Sequence, residues 1–281
     1  MWILSLWIFY NTVTILVNII IPLILNIVLM LLITLVIASL TLMERKVLSL
    51  MQRRVGPYFV GYRGRLQYIA DALKLFIKGT LIPEEANKFW FVVIPAVVLA
   101  VCYTFWVNTV WAPGLSIFEI EYNLVYASLL SLIFSFCVIL TGYFSKNKYS
   151  VLASVRACLL VSNLEIFLGL LILNVVIISE SFNFSVFVTI QETNWLIFLF
   201  INVFGLIIIS FLLEVNRAPF DLAEAETELV AGYTTEMSGF LFGLYYLGEY
   251  FHLFFFSMTL VLLFFGGWEP FTLIEFKIFS I

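Results

Sequence analysis

The sequence predicts an all-α fold, a polytopic transmembrane helical bundle of about six spans with one interfacial amphipathic helix. Of its 281 residues, 63% are hydrophobic and 11% are charged, and the mean hydropathy is +1.12. Soluble globular domains are only about 45–50% apolar, so this composition excludes that class. Residues 1–43 contain no charged side chain, whereas one transmembrane helix requires only about 20 apolar residues. No internal repeat or low-complexity linker divides the chain, and we treat residues 1–281 as a single integral membrane domain.

Six apolar runs define the predicted spans. These are Ile19–Met43, Phe89–Val110, Tyr122–Phe144, Val151–Ile178, Trp195–Leu213 and Met237–Phe265. We interpret the residues before the first span as an interfacial or tilted extension with a break at Pro22. All of the 14 lysines and arginines except Lys277 fall in, or just inside, loops on one side of the membrane. The positive-inside rule places that side in the cytoplasm or the mitochondrial matrix.

The basic loop after the first span contains a predicted amphipathic helix from Leu66 to Lys78. At about 1.5 Å per residue this helix is about 20 Å long, too short to cross a bilayer, so it should lie in the interface plane. On periodicity alone, a plain membrane anchor is the simpler interpretation. The preceding glycines and Pro57 favour a turn that could fold back over a cavity. One face carries the apolar residues Leu66, Ile69, Ala70, Leu73, Phe76 and Ile77.

Two acidic residues fall near the middle of predicted spans. Glu165 and Glu249 each lie at about mid-bilayer depth, where an ionisable group costs about 2.5–3.5 kcal/mol on insertion scales. They are therefore candidates for carrying protons, together with Glu214 at the inner mouth. The alternative is that they are hydrogen-bonded acids that only hold helices together. The outer halves of the spans offer no comparable acids, so we expect a half-channel that passes protons sideways to a neighbouring subunit.

The stretch between the last two spans is strongly acidic and contains one basic residue, Arg217. Pro219 should break the preceding helix, and Asp221 with Glu224 matches a capping box, which predicts a short helix starting at Leu222. Repulsion between neighbouring carboxylates favours their protonated forms. A solvated acidic loop is the plain alternative. The carboxylates are Glu214, Asp221, Glu224, Glu226, Glu228 and Glu236.

The cysteines and the single histidine form no metal-binding pattern. Cys102, Cys137 and Cys158 lie in apolar runs without paired spacing, so we expect neither disulfides nor a metal or iron–sulfur site. His252 is the only histidine. No transit peptide precedes the first span, and we expect the chain to be inserted where it is made. The expected surroundings are lipid and protein, without nucleic acid.

Two sequence blocks resemble one known family. The first is ERKVLSLMQRRVGPYFVGYRGRLQYIADALKLFIK, residues 44–78, and the second is the pattern E-x-N-R-A-P-F-D-L-x-E-x-E-x-E-L-V-x-G-Y, which starts at Glu214. Both resemble the signatures of chain 1 of NADH:ubiquinone oxidoreductase (respiratory complex I), the quinone-site membrane subunit. The resemblance covers roughly residues 20–265. It implies a quinone access tunnel and the start of a proton route that couples quinone reduction to proton translocation.

The resemblance also implies roles for individual residues. The proton route would start at Glu165, Glu214 and Glu249. Leu160 and Leu164 depart from the family, which usually has glutamine and tyrosine there, and Gly79 replaces a common glutamate. The expected quinone-binding residues are Arg45, Gln52, Arg54, Asp71, Arg217, Phe220, Asp221, Glu224, Glu226 and Glu228.

As a subunit of an H⁺-translocating NADH:ubiquinone reductase, the chain would hold no redox cofactor or catalytic redox centre. Ubiquinone would be the substrate, with NADH, flavin and iron–sulfur clusters on partner subunits of the peripheral arm and further membrane subunits alongside. The family usually has two more spans, so we expect a second polypeptide to supply them. The expected location is the mitochondrial inner membrane, or alternatively a bacterial plasma membrane.

Two other functions remain as alternatives, the first implied by the resemblance and the second allowed by the composition. One is a membrane hydrogenase-type subunit that works without quinone. The other is a stand-alone cation or proton transporter, which should show inverted repeats or helices broken at the midplane. The sequence shows no such repeat.

Overall fold

The structure is a computed structural model that describes residues 2–107, 109–111, 120–192, 194–217, 220 and 232–268. Side chains are described from Ile24 onward, apart from those of residues 25 and 26. Two short 3₁₀ helices cover Tyr62–Gly64 and Gly232–Thr234. The α-helices in these ranges are α1 (Trp2–Met51), α2 (Gln67–Ile77), α3 (Lys88–Val107), α4 (Asn123–Ser145), α5 (Lys148–Ser179), α6 (Phe184–Ile190), α7 (Leu196–Leu199), α8 (Ile201–Glu214) and α9 (Gly239–Phe264).

The predicted all-helical membrane class is confirmed. Within the described ranges, five helices are long and apolar enough to cross a membrane: Ile27–Met51 of α1, and α3, α4, α5 and α9. Helix α8 is shorter, with 14 residues. In the most apolar stretch of α9 half of the residues are buried, whereas in the corresponding stretch of α1 only 17% are buried. Helix α9 is therefore central in the bundle, and α1 is peripheral.

The predicted bounds of the first span were wrong at both ends. Helix α1 passes through Pro22 without a break and continues beyond Met43 to Met51. A proline removes one backbone hydrogen bond, but membrane helices tolerate that loss because neighbouring groups compensate for it. The helix continues past the first charged residue because Glu44, Arg45 and Lys46 are good helix formers, and Glu44 has partners on Arg217 and Tyr250.

The fifth predicted span is not a single helix. Helix α7 ends at Leu199, and α8 begins at Ile201, with Phe200 between them in a non-helical conformation (φ −121°, ψ 43°). The chain has neither glycine nor proline at this break. Tertiary contacts of α8 with α5 therefore outweigh the local preference for one continuous helix.

The most extensive helix pair is α4 with α5, and glycine makes the close approach possible. A Cβ atom at Gly142 would lie 2.0 Å from Ser154 Oγ and 2.8 Å from the Ser150 carbonyl oxygen. Helices α3 and α9 pack through large rings instead. The Trp106 ring is stacked on Phe254 with centroids 5.0 Å apart, and Trp106 is completely buried. Packing of small residues and aromatic rings therefore fixes the bundle around α9.

The predicted amphipathic helix is present as α2, within one residue of its predicted ends. None of its residues is buried, but its C-terminal end is fixed to the start of α9. The Ser238 hydroxyl accepts a hydrogen bond from the Leu81 N–H (2.7 Å) and donates one to the Leu81 carbonyl (3.2 Å). Gly239 has φ +57°, and a Cβ there would lie 2.8 Å from the Lys78 carbonyl oxygen. We call this contact the α2–α9 junction.

Candidate functional site

Four of the predicted quinone-binding residues lie together at the end of α1 and on α2. Arg45 forms an ion pair with Asp71 (2.7 Å), which joins the two helices. Arg54 Nε donates a hydrogen bond to Gln52 Oε1 (2.6 Å) in the turn that follows α1. The Arg45 and Asp71 side chains are 48% and 31% exposed. The ion pair is therefore open to solvent or to a partner, and it contributes little to stability by itself.

A second group surrounds Glu44, which was not predicted from the sequence as a site residue. Arg217 Nη1 lies 3.4 Å from Glu44 Oε1, and its guanidinium lies 4.3 Å from the centroid of the Tyr250 ring. The Tyr250 hydroxyl donates to Glu44 Oε2, and the Tyr246 hydroxyl lies 3.1 Å from that of Tyr250. Burial opposes the charge of Arg217, but Tyr250 and Glu44 outweigh burial and raise the Arg217 pKa above its usual range. Arg217 is therefore permanently charged.

Beside this group is an open cavity of about 610 Å³, which we call the large cavity. Glu249 lies on its wall and accepts a hydrogen bond from the Tyr233 hydroxyl. The Tyr233 carbonyl in turn accepts from the Ser150 hydroxyl (3.1 Å), which fixes the 3₁₀ helix against α5. The large cavity is lined by Leu40, Met43, Glu44, Val47, Leu48, Val215, Asn216, Arg217, Tyr233, Tyr246, Glu249, Tyr250 and Leu253.

Glu249 also borders a second cavity of about 20 Å³, the small cavity, which lies deeper between α4, α5, α8 and α9. That volume accommodates roughly one water molecule. Glu214 of α8 and His252 of α9 also line this cavity. His252 Nε2 is 4.0 Å from Glu214 Oε1, too far for a direct hydrogen bond. Among the described residues, neither Glu214 oxygen nor His252 Nε2 has a hydrogen-bond partner.

Glu214 also borders a third cavity of about 390 Å³, which is lined mainly by apolar side chains of α4, α5, α8 and α9. We call it the apolar cavity. Glu165, near the centre of α5, lines the same cavity and accepts a hydrogen bond from the Ser131 hydroxyl of α4. The three predicted acids are therefore arranged along successive cavities, with Glu249 first, Glu214 second and Glu165 third.

The position expected for Glu214 needs correction. It was expected at an inner mouth, but it is only 3% exposed and lies between the small and apolar cavities. Glu44 and Arg217 line the large cavity. Glu214 ends α8, and the chain then turns through Asn216, whose φ is +51°. That turn leaves Glu214 inside and brings Arg217 to the surface of the large cavity.

Several predicted site residues lie outside the described ranges. Among them are Asp221, Glu224, Glu226 and Glu228, and also the short helix expected from Leu222. Phe220 is described, and its N–H donates to the Arg217 carbonyl (2.8 Å).

The site also contains residues that were not predicted from the sequence. Glu44 is the first charge after the apolar start, and this signal was available. The sequence places His252 on the same helix face as Glu249, but no role at the site was predicted for it. The residues missed in this way are Glu44, Ser131, Tyr233, Tyr246, Tyr250 and His252.

Comparisons with known proteins match the chain to one family and to several of its members. The family described as NADH dehydrogenase matches residues 24–281. NADH-ubiquinone oxidoreductase chain 1 of Paramecium tetraurelia is 66% identical over 216 residues, which cover 77% of this chain and 83% of the relative. The chain 1 protein of Chondrus crispus is 38% identical, with 77% of this chain and 67% of the relative covered. A subunit of the NADH-quinone oxidoreductase of the bacterium Methylococcus capsulatus is 39% identical, with 76% and 68% covered.

Proposed function

This chain belongs to the NADH dehydrogenase family and is a membrane subunit of NADH-quinone oxidoreductase, and from that premise we propose that it forms the quinone access tunnel and the start of the proton route. The observation that supports this most directly is that two of the acids each border two of the three cavities. Glu249 borders both the large and the small cavity, and Glu214 borders both the small and the apolar cavity. Each acid can therefore exchange protons with two compartments.

The large cavity has the size and chemistry to accept a quinone headgroup. Pockets for small molecules commonly measure about 300–1,000 Å³ and combine apolar walls with a few polar groups. Here Arg217 supplies hydrogen-bond donors, while Leu40 and Leu253 supply apolar surface. A quinone becomes more basic when it is reduced, and a nearby permanent positive charge stabilises the electron-rich form.

The entrance to this tunnel is proposed at α2. Its apolar face can meet both lipid and an isoprenoid tail, while Asp71 remains at headgroup level in its ion pair with Arg45. Gln52 and Arg54 would lie beside the tail, and the acidic residues from Asp221 to Glu228 would complete the tunnel near the headgroup. Phe220 would border the same region.

Protons would move inward from Glu249 to Glu214 and then to Glu165. Two-electron reduction of a quinone to a quinol takes up two protons, so the charge beside Glu44 and Glu249 changes at each turnover. Glu165 lies on an apolar cavity at the edge of the bundle, where Ile166 is 70% exposed. That position is suited to passing a proton sideways to an adjacent membrane subunit, as a half-channel requires.

Other components of the enzyme would supply the remaining chemistry. Electrons would reach ubiquinone from iron–sulfur clusters on a peripheral subunit, after NADH has reduced a flavin there. The exposed basic turn after α1 would contact that peripheral arm. The membrane is proposed to be the mitochondrial inner membrane, since the Paramecium tetraurelia relative is a eukaryotic chain 1 protein.

The proton route is tested by Glu165→Gln and Glu249→Gln in the assembled enzyme, reconstituted in sealed vesicles. Each change keeps size and hydrogen bonding but removes titration. Proton pumping should fall while the enzyme still assembles. Glu84→Gln is the matched control, because Glu84 is a loop residue that precedes α3 and lines none of the three cavities. Normal pumping by both buried-site variants would refute the route.

The tunnel is tested separately with a photoreactive quinone analogue. It should label α2 or the segment 51–57, and labelling confined to the outer loops would contradict the tunnel. The native assembly should also reduce quinone with NADH. A hydrogenase-type subunit without quinone, or a stand-alone transporter, would fail that assay.

A further inference from the structure

His252 occupies a position between two of the acids and has no assigned role. It is the only histidine in the chain, and it lies on α9 one helical turn after Glu249, on the same face. The residue is 2% exposed and lines the small cavity. Its Nε2 atom is directed at Glu214 and has no hydrogen-bond partner among the described residues. Proteins rarely leave a buried nitrogen in this state without a functional reason.

The packing around His252 fixes the ring and limits the access of water. The centroids of the Phe256, Phe134 and Phe105 rings lie 4.3, 4.8 and 5.2 Å from the centroid of the imidazole. Aromatic rings exclude water, and their faces can stabilise a nearby cation. The imidazole is therefore held in one place, away from bulk water.

The polar atoms on the remaining side face the small cavity. Glu214 presents two oxygens without partners, and the side-chain oxygen of Asn216 also has none in the described part of the chain. One water molecule fits between them and His252, and it would bridge the 4.0 Å gap to Glu214. Glu249 borders the same space.

We propose that His252 is a proton-carrying residue that links Glu249 to Glu214, an inference that rests on the proposed proton route. The Glu249 carboxyl gives its proton to Nε2 of the neutral imidazole through the cavity water, which leaves a carboxylate and an imidazolium. The imidazolium then gives a proton to the Glu214 carboxylate by the same path. The ring returns to its neutral form, Glu214 is protonated, and one proton has moved without a change in net charge.

The titratable groups that face this ring come from several elements. Glu214 belongs to α8, Glu249 to α9 itself, Cys158 to α5 and Tyr233 to the second 3₁₀ helix. Helices α3 and α4 meet the ring with phenylalanines. Of these side-chain types, imidazole changes charge most readily between about pH 5 and 8. A relay through His252 should therefore impose its own pH dependence on turnover.

The experiment replaces His252 in the assembled enzyme in sealed vesicles. His252→Asn retains a hydrogen-bond donor and acceptor but cannot titrate. Proton pumping and NADH:quinone reduction should both fall by roughly a hundredfold, the lower end of the contribution of a positioned proton-transfer group. The pH profile should also lose one titrating limb. Ser257→Ala is the control, because Ser257 lies exposed on the same helix and bonds only to the Phe254 carbonyl in the described contacts.

Assembly is followed by NADH oxidation with an artificial acceptor that bypasses quinone, which should not change. If the Asn variant fails to assemble, His252→Gln gives the same test, and failure of both amides to assemble would overturn the relay in favour of a structural role. Full turnover with an unchanged pH profile in an amide variant would also overturn it. In that case Glu249→Gln distinguishes the two proposals. A loss of pumping in Glu249→Gln would still support the proposed proton route, although His252 would not be part of it.

Discussion

Gly142 offers a direct test of the packing between α4 and α5. Alanine normally stabilises a helix interior by about 1 kcal/mol relative to glycine. At Gly142, however, the added methyl carbon would lie 2.0 Å from Ser154 Oγ and 2.4 Å from Ser154 Cβ, whereas carbon contacts are favourable at about 3.5–4.0 Å. The third contact, 2.8 Å to the Ser150 carbonyl, is with backbone that cannot rotate away. The helices must therefore separate.

We expect Gly142→Ala to destabilise the protein by about 1–3 kcal/mol, the usual cost of overpacking a tight core. Gly205→Ala in α8 is the control, because nothing lies within 4 Å of its added Cβ. The assay is the temperature at which the purified enzyme loses half of its NADH:quinone reductase activity in a fixed time. Gly142→Ala should lose activity at a lower temperature than the wild type, and Gly205→Ala should not.

A compensating change sharpens this test. Ser154→Gly in the Gly142→Ala background removes the two shortest contacts but leaves the one with the Ser150 carbonyl. Thermal resistance should therefore recover in part. If Gly142→Ala were as resistant as Gly205→Ala, the close approach of α4 and α5 would not exist in the enzyme, and the reasoning would be wrong.

Three further changes test the residues around the large cavity and the α2–α9 junction. Arg217→Lys keeps the charge but loses the contact of the planar guanidinium with the Tyr250 ring, which is worth about 1–2 kcal/mol. Quinone reduction should therefore fall by about tenfold, while the number of protons pumped per electron is unchanged. Tyr250→Phe keeps the ring but removes the hydrogen bond to the Glu44 carboxylate, which is worth about 1.5–3 kcal/mol. The KM for quinone should therefore rise, and an unaltered KM would count against a role of this hydrogen bond in quinone binding. Gly239→Ala meets both a left-handed backbone and the Lys78 carbonyl at 2.8 Å, so proteolysis of the turn after α2 should speed up. Gly79→Ala, with open space around its added Cβ, should have no effect.

The long apolar helices and the amphipathic helix were predictable because hydrophobic periodicity is a local property. The end of α1 was not, since apolarity stops at Glu44 while the backbone remains helical to Met51. The charged residues that follow the apolar run are good helix formers, so the end of the apolar run does not mark the end of the helix. The break at Phe200 has no local signal either, because no glycine or proline marks it.

The site was predictable in part for the same reason. A carboxylate in an apolar run is visible in the sequence, so Glu165 and Glu249 could be selected. The burial of Glu214 could not be seen, because it depends on the turn at Asn216 and on the packing of α8 against α5. His252 was visible as a residue but not as a neighbour of Glu214, since the two lie on different helices.

The α2–α9 junction has a consequence for biogenesis. The two residues that join it, Leu81 and Ser238, are 157 positions apart. At a synthesis rate of about 5–20 residues per second, α2 is complete roughly 8–30 s before its anchor on α9 leaves the ribosome. During that interval α2, which buries no residue of its own, has its ion pair with α1 and the lipid surface to hold it in position. The insertion of α9 therefore completes the proposed tunnel entrance, and a fault late in translation would first disturb this early helix.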